Sequence, residues 1–403
     1  MAARSSRANI FLGERPAGTL HYSRGRSSFE YEDLDPGHPV LGLPFEYDPD
    51  IASHPVTGVP SWFANLLPER ESALRRIYNR QLGRRDVPDF LLLIHLGNDL
   101  PGAVRVQAEG NLPGFMTEAL MEAHETGSKE LIGFSLSGLQ LKFSMKLRGE
   151  ALTLPAPGEL GDWIVKLPSN IYEHLPLNEF FTMSWAAAVG IDVPEHRLTP
   201  MHKVEDLPDE YRNTIGHAFA VRRFDRIGEL RVHQEDFAQI FNLPPADKDR
   251  GSHEAIARVI LENCPEDFEE YIRRLVFCIG SGNNDEHLKN WSLRYADERR
   301  PRLSPAYDLV SVTSYQTFRN KGLTLPISHE RDMRLITREH FRKFAESLAD
   351  LGAEPSQVLR VLDTTLERMR DTIPRISDLP DSPDFVTAHS RERFEHIPLL
   401  LGR

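Results

Sequence analysis

Residues 281–293 read "SGNNDEHLKNWSL", with an Asp, a Glu, a His, a Lys and three Asn in thirteen positions. They follow "EDFEEYIRRLVFCIG", where Phe268, Tyr271, Ile272, Leu275, Val276 and Ile279 recur at three- and four-residue spacing. That spacing predicts a helix with one core-facing apolar stripe. A chain that has just built core and then gathers so many polar groups is expected to hold something with them.

Asp285 and Asn290 stand five apart, the D-x-x-x-x-N spacing of a protein-kinase catalytic loop, in which the Asp accepts a hydroxyl proton and the Asn holds Mg²⁺. A second metal carboxylate should follow a short strand pair. "WSLRYADERRPRLSPAYDLVS" supplies a strand, a polar turn, a second strand and Asp308 at its end. Oxygen ligands on two nearby loops suit Mg²⁺, which prefers carboxylates, waters and phosphate oxygens to a closed protein cage, so the constellation asks for ATP.

Upstream, a kinase needs small residues over the phosphates and a strand lysine paired with a helix glutamate. "SLSGLQLK" gives the first, Lys166 lies in the predicted strand "WIVKLP", and Glu179 opens the next helix, so all five parts occur in kinase order. Each part alone has a plain structural reading: a solvated edge lysine, a turn glycine, a glutamate favouring a helix N-terminus. Order and spacing together carry the kinase reading. His287 in "DEH" does not make a zinc site, because no second His follows at a helical spacing of four and no Cys is near.

The rest of the chain frames these motifs. At 403 residues it exceeds one ordinary core, and its 40% hydrophobic and 27% charged residues fit a globular protein of two or three domains. A net charge of −12 argues against binding naked nucleic acid by counterion release, so DNA contact is expected only through a basic partner. Cys264 and Cys278 fit buried free thiols rather than a disulfide framework. The start "MAARSSRANIFLGERP" has no secretory apolar region, and "FLLLIHLG" is too short to span a bilayer. A cytoplasmic protein without membrane contact is the expectation.

"ANIFLGERPAGTLHYS" and "SSFEYE" alternate as a β meander, followed by short helices in "PSWFANLLPERESALRRIYNRQLG" and "VPDFLLLIHLG" and a strand in "PGAVRVQAEG". Residues 111–224 read as strands around the helix "PLNEFFTMSWAAAVG", and 225–403 as mainly helical. The expected organisation is an N-terminal subdomain over 1–110, a kinase N-lobe over 111–224 and a helical C-lobe over 225–403, in an α+β, two-lobed, protein-kinase-like fold.

The blocks "FLGERPAGTLHY", "SWFANLLPE", "SLSGLQLK", "IVKLPS", "NEFF", "VRRFDR", "HQEDFAQIFNLP", "NNDEHLKNWSL" and "LSPAYDLVS" resemble, in order, those of the HipA-type serine/threonine kinases, toxins of bacterial toxin–antitoxin pairs. The resemblance spans nearly the whole chain. It implies that Asp285 is the catalytic base and that Asn290 and Asp308 hold Mg²⁺. Lys166 would contact the ATP phosphates with His287 and Lys289, and Glu179 would pair with Lys166. Ser137, Gly138, Leu139, Gln140, Leu141 and Lys142 would cover the nucleotide. Arg222, Arg223 and Phe224 would form the hinge around adenine, and Tyr307 would precede the metal Asp. Ser135, with Ser137 as the alternative, would be autophosphorylated as an off-switch, since a dianion there would oppose the triphosphate. Arg222 stands where the family commonly has an acidic residue, so a side-chain contact to the nucleotide differs while backbone contacts survive.

The resemblance further implies a HipB-like helix-turn-helix antitoxin as partner, operator DNA only through it, and an aminoacyl-tRNA synthetase as substrate, with growth arrest and persistence as the outcome. The rivals are a small-molecule kinase, a non-catalytic co-repressor, and a phosphatase or nuclease built on the same carboxylates.

Overall fold

The computed structural model describes residues 5–32, 37–110, 112, 141–156, 159–169, 171–379 and 381–402. The chain packs as two units, one of residues 1–167, 199–247 and 293–299 and the other of 168–198, 248–292 and 300–403. The segment boundaries expected at 110 and 224 are crossed by this packing. Helix Leu175–Val189 joins the helical unit because its Trp185 is fully buried and donates its indole N–H to Thr372 Oγ1 at 3.1 Å, on helix Pro355–Ser377.

In the first unit the meander forms as expected. β1 (Ser6–Leu12), β2 (Arg15–Ser23), β3 (Arg26–Tyr31), β4 (Val56–Thr57) and β5 (Val104–Glu109) make a sheet in the order β4-β3-β2-β1-β5. Alternation decides its register: Ala8, Ile10 and Leu12 point into the core, so a one-residue slip would expose all three. Phe29, Phe45, Trp62, Phe63 and Phe90 fill that core under the short helices. The predicted helix around Pro68 divides into Ser61–Ala64 and Ala73–Gln81, as a proline without an N–H requires.

A second antiparallel group follows: β6 (Lys142–Arg148) between β7 (Ala151–Thr153) and β8 (Trp163–Lys166), with strand His217–Arg222 beyond β8. Its core is Phe143, Met145, Trp163, Val165, Ala218 and Ala220. Two buried polar knots tie the first unit together. Glu235 accepts from the Leu43 backbone N–H at 3.0 Å, from Trp62 Nε1 at 3.3 Å and from the Tyr295 hydroxyl. Burial pushes its pKa up to about 7 against those three donors. In the second knot Asp225 accepts from Arg223 at 2.7 Å, Arg226 at 2.8 Å and the Gly102 N–H at 2.9 Å, while Asp99 accepts from Arg223 and Arg226 at 3.2 and 2.9 Å. Burial by itself would raise the Asp225 pKa, but the two guanidiniums hold the carboxyl well below the usual range.

The second unit is helical. The stripe predicted on Phe268–Ser281 is buried in full, and Pro355–Ser377 packs against both that helix and Leu175–Val189. Helices Arg338–Glu346 and Asp384–His396 complete the layer around Pro355–Ser377.

Breaking a buried ion pair strands its partner's charge, which costs about 3–5 kcal/mol. Asp225→Ala should therefore lower stability by about that amount in urea denaturation followed by tryptophan fluorescence. Arg70→Ala, which removes a pair whose arginine is 58% exposed, should change it by under about 1 kcal/mol. Equal effects of the two would refute the ranking.

Candidate active site

Helix Phe268–Ser281 stops at Gly282, whose φ of 77° lies in the left-handed region. A Cβ there would stand 2.1 Å from Thr313 Oγ1, so both the turn and the close approach require glycine. The polar stretch then folds on itself. Asn283 Oδ1 accepts the Asp285 N–H at 3.2 Å, and the Asp285 carbonyl accepts the His287 N–H at 2.9 Å and Asn290 Nδ2 at 2.6 Å. Asn284 reaches the Lys321 carbonyl at 3.1 Å. Glu286, buried, receives the Leu325 N–H at 3.2 Å, and its carbonyl receives Trp291 Nε1 at 3.3 Å.

Much of the polarity that signals a ligand therefore serves the loop itself. Asn283, Asn284 and Glu286 are its scaffold, a role sequence reading missed because a scaffold asparagine and a ligand asparagine look alike in one dimension. The remaining acid, Asp285, is exposed. Behind it lies a buried cluster: His253 Nδ1 meets the Tyr271 hydroxyl at 2.8 Å, and His253 Nε2 stands 3.7 Å from Glu286.

The expected strand pair is present as Ser292–Tyr295 and Arg302–Leu303. Tyr307, buried, donates its hydroxyl to the Lys289 carbonyl at 2.9 Å and meets Ser292 Oγ at 2.5 Å, which fixes the segment before Asp308 against the Asp285 loop. Asp308 itself is left-handed, with φ of 55°, a conformation that asparagine and aspartate tolerate best among non-glycine residues. The segment after it is anchored by Asn178, whose Oδ1 accepts the Ser311 N–H at 2.9 Å and whose Nδ2 donates to the Ser311 carbonyl at 3.1 Å. Asn178 is a second positioning residue the sequence did not disclose. Its neighbour Glu179 is buried in the second turn of Leu175–Val189 rather than at the helix opening.

In the other unit, Lys142 and Lys166 are direct cross-strand neighbours of β6 and β8, and both are buried. Lys166 Nζ also lies 5.6 Å from the centre of the Phe219 ring. Leu141 is half-buried and accepts the Leu167 N–H at 3.1 Å. Arg222 is exposed and Phe224 half-buried. The Arg223 guanidinium is committed to Asp225, Asp99 and Ser144 Oγ, and its backbone N–H donates to the Asp162 carbonyl at 2.9 Å. Ser135, Ser137, Gly138, Leu139 and Gln140 lie outside the described residues.

A family model of the HipA-like C-terminal domain matches residues 134–373, and one of the HipA N-terminal domain matches residues 8–107. The chain belongs to the HipA family. A Sinorhizobium fredii protein named as a kinase, Y4dM, is 43% identical over 380 residues, covering 90% of each chain. The serine/threonine-protein kinase toxin HipA of Shewanella oneidensis is 25% identical over 327 residues, covering 71% of this chain and 70% of its own. Among solved structures, the Shewanella oneidensis complex of HipA, HipB and operator DNA aligns with a TM-score of 0.73 at 21% identity, over 98% of this chain and 97% of that one. The fold is thus the α+β, two-lobed, kinase-like fold of HipA proteins, and kinase chemistry is the family's.

Within that family frame the electrostatics of the loop take on meaning. Asp285 is open to solvent on one side and crowded by protein on the others; the lost hydration pushes its pKa up to about 6, with Lys248 pulling down and Glu286, Asp308 and Asp249 pushing up. His287 is buried and makes no hydrogen bond through either ring nitrogen, and burial with Lys248 and Lys289 nearby drives its pKa down to about 3. It is a neutral imidazole, so any phosphate contact is one N–H donation and not an ion pair. Lys289 is buried as well.

Among the described residues no three His, Cys, Asp or Glu side chains gather as a metal cage. Asn290 and Asp308 are oxygen-bearing residues of the kind that could hold a Mg²⁺ completed by water and phosphate. Asn290 Oδ1 is buried and accepts no hydrogen bond, which fits a carbonyl oxygen kept for a cation. Where Mg²⁺ binds, these two residues would hold it. No helix among the described residues is long and apolar enough to cross a membrane.

Proposed function

We propose that this HipA-family chain is a Mg-ATP-dependent protein serine/threonine kinase, the toxin of a toxin–antitoxin pair. The observation that carries the reading is the Asp285 loop. One exposed carboxylate with a raised pKa is held by Asn290 through its own backbone carbonyl, while the Asn290 carbonyl oxygen is kept from every other hydrogen bond.

Asp285 takes the proton of a serine or threonine hydroxyl as that oxygen bonds to the terminal phosphorus of ATP, and the bond from phosphorus to the bridging oxygen breaks to release ADP. A basic carboxylate is favoured here, because proton transfer is most effective when the base's pKa approaches the working pH. Bound Mg²⁺ supplies charge neutralisation at the phosphate oxygens. Lys142 and Lys166 orient the phosphates, and Ser137, Gly138, Leu139, Gln140 and Leu141 are the residues proposed to cover the nucleotide. Neutral His287 donates one hydrogen bond, Lys289 adds charge, and Arg222, Arg223 and Phe224 offer hinge backbone to adenine. Glu179 is the partner proposed for Lys166.

The partner is a HipB-like helix-turn-helix antitoxin, supported by the Shewanella oneidensis complex that shares this fold, and operator DNA is reached through it. The substrate class is an aminoacyl-tRNA synthetase, whose phosphorylation arrests translation and growth. Phosphorylation of Ser135, or of Ser137, switches the kinase off.

Asp285→Asn should lower phosphate transfer to protein by at least about a hundredfold, read as ³²P incorporation; near-normal turnover would sink the assignment. Because the base works ionised and its pKa is raised to about 6, activity should fall as the pH drops through about 6 and level off above 7. Lys248→Ala removes a charge that lowers that pKa, so it should move the acid limb to higher pH, and an unmoved limb would contradict the electrostatics. Ser135→Ala should stay active after the parent has stopped, in a progress curve with Mg-ATP; superimposable curves would argue against the switch.

A further inference from the structure

Helix Ala73–Gln81 carries three of the six arginines in "ERESALRRIYNRQLGRRD", namely Arg75, Arg76 and Arg80, and the turn after it adds Arg84 and Arg85. Arg75 is buried against Asp89 at 2.7 Å and serves the core. The others do not. Arg76 and Arg80, one turn apart on the same helix face, are exposed, as is Arg85 in the turn that follows. With Arg84 they line an open concavity of about 690 Å³ whose other walls include Asn79, Glu210 and Tyr211.

The surface is built rather than incidental. Asn79 staples the turn: its carbonyl accepts the Arg84 N–H at 2.8 Å, its Nδ2 donates to the Arg85 carbonyl at 3.0 Å and its Oδ1 accepts the Val87 N–H at 3.1 Å. Gly83, with φ of 62°, allows the reversal. Four arginines therefore line one hollow with a single carboxylate residue among its described lining, Glu210, which pairs with Arg80 at 2.9 Å, while the Arg76 guanidinium donates to the neutral Glu71 carbonyl at 2.8 Å. In a chain of net charge −12 that is a local inversion of sign. The helix dipole favours a cation in the last turn and accounts for Arg80. It does not account for Arg76 in the first turn or Arg85 beyond the helix.

We propose that this hollow binds the phosphates of a nucleotide, either free or at the end of a single nucleic-acid strand. Arginine forks match phosphate oxygens two at a time, the volume lies in the range of small-ligand pockets, and the Tyr211 ring offers a base a stacking face. A duplex, being convex and broad, would meet only the rim. The hollow shares no residue with the candidate kinase site and its assignment does not depend on the kinase reading.

The full-length chain would be titrated with inorganic tripolyphosphate by calorimetry and with a fluorescein-labelled ten-nucleotide single strand by anisotropy, from 50 to 200 mM salt. Arg76→Gln/Arg85→Gln tests the hollow, and Arg360→Gln/Arg375→Gln removes the same charge elsewhere. The expected result is salt-sensitive binding of at least one probe, weakened at least about tenfold by the first pair, with a shallower salt slope, and within about twofold of the parent for the second. Tripolyphosphate binding alone would assign a free nucleotide, and strand binding alone a nucleic-acid end. Equal losses in both variants, no loss in the first, or no binding of either probe would overturn the proposal.

Discussion

Irregular backbone buried behind a helix must find a partner for each of its N–H and C=O groups, since an unmade hydrogen bond there costs about 1–3 kcal/mol. Residues 282–291 meet that constraint with side chains. Asn283, Asn284, Glu286 and Asn290 take up backbone groups of the loop and of neighbouring segments, and Lys248 lends its carbonyl to the Leu288 N–H. The carboxylate of Asp285, proposed as the base, is placed as a by-product of satisfying the chain around it. Gly282 makes the arrangement possible, because the left-handed turn that ends the helix also passes within contact of Thr313.

The same economy appears around Asp308. Tyr307 before it and Ser311 after it are each pinned by buried hydrogen bonds, to the Lys289 carbonyl and to Asn178, so a residue in a sparsely populated backbone region is held from both sides. Asp285, Asn290 and Asp308 thereby sit on segments that cannot shift independently. That rigidity suits phosphoryl transfer, where positioning and charge do most of the work.

Burial also redistributes charge in ways residue type alone conceals. Asp285 becomes a better base, His287 loses its proton, and Arg223, outwardly a hinge residue, is spent on Asp225 and Asp99. Each change follows from how much water the neighbours leave, a quantity with no signature in local sequence. In the first unit, burial pushes Glu235 to about 7 although three donors surround it.

The sequence by itself determined the meander, the helical stripes and the order of the motifs, because alternation and three-to-four spacing are local and each residue reports its own face. It also brought Asp285, Asn290 and Asp308 into one hypothesis through spacing alone. Tertiary structure decided which asparagines are scaffold, that Asn178 holds the segment after Asp308, that helix Leu175–Val189 packs with Pro355–Ser377, and that His287 is neutral. Asn178 and Ser311, like Trp185 and Thr372, lie more than a hundred residues apart, and the roles of the asparagines and the state of His287 depend on how the loop is buried, which only folding decides.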